Sequence, residues 1–118
     1  MSILDLSATA RPTMRVILPR RKRYFLSKNQ RLDVFTPTKS TREMFAFLGN
    51  SLIKIGKKEA TEADFERLYE VTAKILSRNK QGVEITKADL EARVDTPDII
   101  KILTEYANFL TAAIESKN

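Results

Sequence analysis

Thr13-Met14-Arg15-Val16-Ile17-Leu18, closed by Pro19, is the stretch on which the fold turns. β-Branched and large apolar residues fill it, and these suit a pleated, half-buried strand better than a helix. Arg23-Tyr24-Phe25-Leu26 and Leu32-Asp33-Val34-Phe35 read as two further short strands, with Ser27-Lys28-Asn29-Gln30 as the turn between them and Pro37 as the stop. The expectation is a small antiparallel ribbon of two or three strands over residues 13–36. A ribbon of that size is marginal on its own, so it must lean on helices.

The helices are announced by their starts. Ser40-Thr41-Arg42-Glu43 fits a capping box, in which a hydroxyl accepts from a helical N–H and an acid reaches back. Thr61 with Asp64 and Thr86 with Asp89 are looser versions of it. Thr96-Pro97-Asp98 offers an N-cap, a proline in the first turn and an acid that the helix dipole favours. Four helices follow, at about 41–55, 62–78, 87–94 and 97–116, with Gly56 ending the first and Asn79 through Gly82 forming the loop after the second. The fold class is therefore α+β: an N-terminal antiparallel ribbon packed on a C-terminal bundle of three to four helices. Residues 1–12 are expected to be a flexible segment, and 13–118 a single domain with its helical part over 41–116.

Apolar spacing sets the core. Met44, Phe45, Leu48, Leu52 and Ile55 line one side of the first helix, and Phe65, Leu68, Tyr69, Thr72, Ile75 and Leu76 one side of the second. The last helix is broader. Ile99, Ile100, Ile102, Leu103, Tyr106, Ala107, Phe109, Leu110, Ala113 and Ile114 cover about half its circumference, beyond the ~100° stripe of an ordinary surface helix. It is either a central core helix or one that keeps a flank for a partner. On the second reading Tyr106, Phe109, Leu110, Ala113 and Ile114 form a partner-binding face, through self-association or client docking.

Composition narrows the chemistry. The 118 residues are 42% hydrophobic and 31% charged, the balance of a packed domain and not of a disordered chain. His, Cys and Trp are absent. Without His or Cys, a transition-metal site would need carboxylates alone, and the usual base-activated nucleophiles lose their central member. No catalytic residue, metal or cofactor is expected. Ser77 through Gly82 has the glycine of a calcium loop but Ser, Asn and Gln where carboxylates belong, and Ala88 where the closing Glu should be. Gly49, Gly56 and Gly82 stand too far apart to cradle a phosphate. No run is long enough to cross a membrane, and no early apolar stretch suggests export; a cytoplasmic location is expected.

The net charge of +6 is split unevenly. Arg11 to Arg42 holds ten basic residues against one acid, whereas Thr61 onward holds eight against eleven. The densest basic patch is Arg20-Arg21-Lys22-Arg23, flanked by Tyr24 and Phe25. It fits phosphates and stacked bases, which makes a small nucleic-acid-binding protein the alternative reading. It fits an acidic protein surface equally well. No recognition helix accompanies it, since the helical half is acidic, so nucleic acid is not the partner expected.

A basic β segment, a capped helix and then Leu68-Tyr69-Glu70-Val71-Thr72-Ala73-Lys74-Ile75-Leu76-Ser77-Arg78-Asn79 together resemble phage tail assembly chaperones of Gram-positive siphophages and prophages. So do Gly82-Val83-Glu84-Ile85-Thr86 with Leu90, and the ending Tyr106-Ala107-Asn108-Phe109-Leu110 before Lys117-Asn118. The likeness spans most of 13–118 and rests on packing and loop patterns. It implies a non-enzymatic role in viral morphogenesis: holding the tape measure protein while tail tube subunits polymerise around it, in the host cytoplasm and not in the mature virion. It makes the tape measure protein the expected partner, with the tail tube protein as a second one, and it implies that this chain is the short form of a frameshifted pair.

Overall fold

The computed structural model describes residues 11–19 and 29–115, with the backbone alone for Ile114 and Glu115. Strands β1 (Thr13–Leu18) and β2 (Gln30–Phe35) precede helices α1 (Lys39–Gly56), α2 (Glu62–Ser77), α3 (Lys87–Arg93) and α4 (Thr96–Glu115). This is the expected small α+β fold. The strands pair antiparallel from Thr13 opposite Phe35 to Leu18 opposite Gln30. Alternation along a strand then turns Met14, Val16 and Leu18, with Leu32 and Val34, to one face. Leu18, Leu32 and Val34 are fully buried there. The third expected strand, 23–26, lies outside the described residues.

Helix α2 is the hub. Leu68, Val71, Ala73, Ile75 and Leu76 are buried between α1, α3, α4 and β2. Thr72 is buried as well, and its hydroxyl donates to the Leu68 carbonyl at 2.7 Å, which removes the desolvation penalty of placing it there. Two caps form as their spacing implies: Thr61 with Asp64, and Thr86 with Asp89. The other two move. The N-cap of α1 is Thr38, not Ser40. Thr38 keeps the extended backbone that a cap needs and accepts from Thr41 N–H at 3.4 Å, while Ser40 is already inside the helix. Asp95, not Thr96, caps α4: its carboxylate accepts from Asp98 N–H at 3.0 Å, and Asp98 reaches back to Asp95 N–H.

The end of α1 differs too. Gly56 stays helical, and the left-handed residue is Lys58, at φ 61°. Lys57 N–H donates to Ile53 O, Lys58 N–H to Ile55 O and Glu59 N–H to Lys54 O, so the last carbonyls are satisfied around a residue ill suited to that conformation.

The loop after α2 closes the sheet. Val34 forms a bridge with Asn79, Phe35 N–H donates to Arg78 O and Lys80 N–H to Asp33 O, both at 2.8 Å. The 78–80 segment thereby covers the outer edge of β2. Asn79 is buried and holds its own turn, donating to Leu76 O and Val83 O and accepting from Val83 N–H. Gly82 sits at φ 68°, a conformation that costs a glycine little.

Candidate protein-binding surfaces

Tyr106 decides what α4 does. Its ring is fully buried, edge-on to Phe45 of α1 (5.7 Å, 84°) and 6.0 Å from Phe109, and its hydroxyl donates to the Phe35 carbonyl at 3.1 Å. One side chain thus ties α4 to α1 and to the end of β2. Burial pushes its phenol up to about 12, partly opposed by the charge of Arg78. Ala113 is buried, and Phe109 and Leu110 are half-buried against the same core. The expectation of an open partner face on α4 is corrected for Tyr106 and Ala113. The centre of the arc is covered because α4 packs on α2 and β1 at once and meets Phe45 of α1 as well. On its flanks Ile100, Ile102 and Ala107 stay half-buried, like Phe109 and Leu110. The Ile114 side chain and the basic patch Arg20, Arg21, Lys22 and Arg23 lie outside the described residues.

Exposed apolar surface sits on α1 instead. From Met44 to Ile53 the chain reads Met-Phe-Ala-Phe-Leu-Gly-Asn-Ser-Leu-Ile, without one charge. Leu48 and Ser51 face inward, while Ala46, Phe47, Gly49, Asn50 and Ile53 face solvent. Phe47 is 70% exposed and Ile53 57%. The outer face of α2 carries Glu62, Arg67, Glu70 and Lys74, which is what water normally selects. Helical spacing in the sequence had marked the buried side of α1; the missing charges over 44–53 were the available signal for the other side.

Two buried carboxylates fasten the frame. Asp64 accepts from Thr61 N–H at 2.9 Å, from the Thr61 hydroxyl at 3.1 Å and from the Ser51 hydroxyl at 2.9 Å, with Lys54 at 3.9 Å. The Thr61 N–H above all, then the Ser51 hydroxyl, holds its carboxyl below the ordinary value. Asp33 accepts from Gln81 Nε2 at 2.6 Å, and its own N–H donates to Gln81 Oε1 at 2.8 Å. Arg31 and Arg15 approach the same carboxylate at 3.3 and 3.6 Å. The Gln81 bond leads the causes that lower it, ahead of both arginines. Gln81 lies in the segment with the false calcium signature, where it serves as the clasp on β2.

A groove of about 440 Å³ runs between β1 and α4, lined by Met14 through Pro19 on one side and by Val94, Asp98, Lys101, Ile102 and Glu105 on the other. A shallower polar cleft of about 730 Å³ sets Lys74, Arg78 and Lys87 against Glu70 and Glu84, a nearly balanced set of charges. No helix among the described residues is long and apolar enough to cross a membrane. No family model, curated protein or solved structure matches the chain.

Proposed function

We propose that this protein is a non-enzymatic tail assembly chaperone that holds a long, helix-rich tape measure client in the host cytoplasm until tube subunits replace it. The observation that carries the reading is the outer side of α1 between Met44 and Ile53, where Phe47 and Ile53 stand in water within an uncharged stretch that exposed Arg42, Glu43 and Lys54 border. Aromatic and aliphatic side chains displayed this way are typical anchors for a partner, and an amphipathic client helix laid across α1 is the occupant such a face suits. Ala46, Gly49 and Ile53 follow one another at helical spacing along one exposed stripe, with Phe47 on its flank, and the two small residues let a second helix come close. The resemblance over most of 13–118 and the two-ended charge distribution support the same role, since a repeated client needs weak apolar contacts and charge guidance.

Co-expression with the long reading frame beside its gene, followed by pull-down, tests the reading. The native chain should capture that product and keep it soluble, and Phe47→Ser should release it. Failure of the native chain to bind it, together with salt-sensitive nucleic-acid binding that is lost when Arg20, Arg21, Lys22 and Arg23 become Ala, would establish the alternative instead.

A further inference from the structure

The groove between β1 and α4 has a telling list of walls. A cleft over one face of a strand touches every second residue, because side chains alternate. This one is lined by six consecutive residues, Met14 to Pro19, so it follows the edge of β1 and not a face. The two edges of the ribbon are also treated differently. Residues 78–80 hydrogen-bond along β2, whereas the strand order among the described residues places nothing beyond β1. An outer strand edge turns alternate N–H and C=O groups outward, which is a template for one more strand.

We propose that the β1 edge accepts an extended peptide segment of a partner protein, apolar at alternate residues and acidic opposite Arg15. Backbone hydrogen bonds to β1 would provide the attachment. Side chains on the inner side of the added strand enter the groove beside Val16, Val94 and Ile102. On the outer side they meet Arg15 and Ile17, the latter 60% exposed. The acidic preference belongs to the outer side alone: there Arg15 and Arg31 share the single carboxylate of Asp33 and keep a net positive charge. In the groove Lys101 stands with Asp98 and Glu105, so the inner positions take apolar residues. Opposite charges on directly paired residues stabilise a ladder, and like charges weaken it. This site is separate from the α1 face, and the inference stands whether or not the chaperone reading does.

The probe is a synthetic acetylated, amidated heptapeptide Thr-Val-Glu-Val-Glu-Val-Thr, with a second version N-methylated at alternate peptide bonds. The parent peptide should shift the backbone amide resonances of Met14 to Leu18 and of Ile102. N-methylation keeps the side chains but removes the donors, and should weaken binding about ten-fold or more. Arg15→Glu, whose fold circular dichroism will check, should weaken the parent about three-fold and favour the Lys-for-Glu peptide by a similar factor. Equal affinity of the parent and N-methylated peptides would overturn the proposal, as would shifts confined to α1. It would equally fall if β1 proved already paired in the peptide-free chain, with residues 1–10, with the expected strand 23–26 or, in a concentration-dependent dimer, with a second copy.

Discussion

Helices α4 and α1 exchange the roles that their sequences suggest. The last helix has the wider apolar arc and is the better covered; α1 has the narrower stripe and leaves a phenylalanine in water. Arc width measures how much apolar surface a helix brings, and coverage depends on how many neighbours reach it. α4 packs on α2 and β1 and receives Phe45 from α1, whereas α1 packs chiefly on α2. The side of α1 turned away from α2 is exposed, and between Met44 and Ile53 it carries no charge, although Arg42, Glu43 and Lys54 border that stretch.

The largest effect that can break this contrast belongs to Tyr106. Tyr106→Ala removes a fully buried ring and its bond to Phe35 O, and should lower unfolding free energy by about 3–5 kcal/mol in a urea titration. Tyr106→Phe removes the bond alone and should lose about 1 kcal/mol. Phe109→Ser, at a half-buried neighbour of the same ring, should fall between, at about 2 kcal/mol. A near-zero loss for Phe109→Ser would return that residue to the interface that its position near the chain end suggested.

The pH scale separates the two helices differently. Asp64 ties α1 to α2 and titrates lower folded than unfolded, as does Asp33 on β2. Stability from both is complete above the ordinary value of 3.8 and drains away as pH falls through their depressed folded values. Tyr106 is the reverse case. Its unfolded phenol ionises near 10.0 and its folded one at about 12, so the neutral ring's contribution holds below pH 10 and is lost between those values. Acid should therefore loosen the α1–α2 and β2–loop junctions first, and alkali the core around α4. Hydrogen exchange at both extremes checks it; α4 opening first in acid would refute the assignment.

What could be read beforehand was local. Thr61 with Asp64 and Thr86 with Asp89 were legible because a cap involves residues three apart, and β1 because its β-branched and large apolar residues fall within six positions closed by Pro19. The caps at Thr38 and Asp95 were missed by two residues and one, since neighbouring hydroxyls and acids compete and only backbone conformation chooses between them. The grip of Gln81 on Asp33 joins residues 48 apart, and the bond from Ser51 to Asp64 joins a helix exit to a helix entry. No spacing rule reaches those pairs. The same limit explains Tyr106: its place on an arc was visible, but the Phe35 carbonyl that receives its hydroxyl was not.

A smaller effect probes the end of α1. Lys58 holds a left-handed conformation that glycine adopts without strain, whereas the start of α4 is doubly bonded through Asp95 and Asp98. Lys58→Gly should raise stability by about 0.5 kcal/mol, because the relief of strain is partly offset by the greater freedom of glycine in the unfolded chain. A rise in melting temperature would show that α1 unfolds together with the core. Slower amide exchange in α1 at an unchanged melting temperature would show that α1 opens by itself.

The smallest expected change in stability is the most informative. Phe47→Ser replaces a side chain that is 70% exposed, makes no aromatic pair among the described residues and stands apart from the core cluster. Surface substitutions of that kind stay within about 0.5 kcal/mol, and serine and phenylalanine have nearly equal helix propensities. The urea midpoint should hardly move, in contrast with Tyr106→Ala, while capture of the helical client is lost. That pairing of an intact fold with lost binding is what an anchor residue produces, because its apolar area is buried only in the complex. A fall of 2 kcal/mol or more would instead mean that Phe47 is covered within the free protein, and the proposed client face of α1 would have to be abandoned.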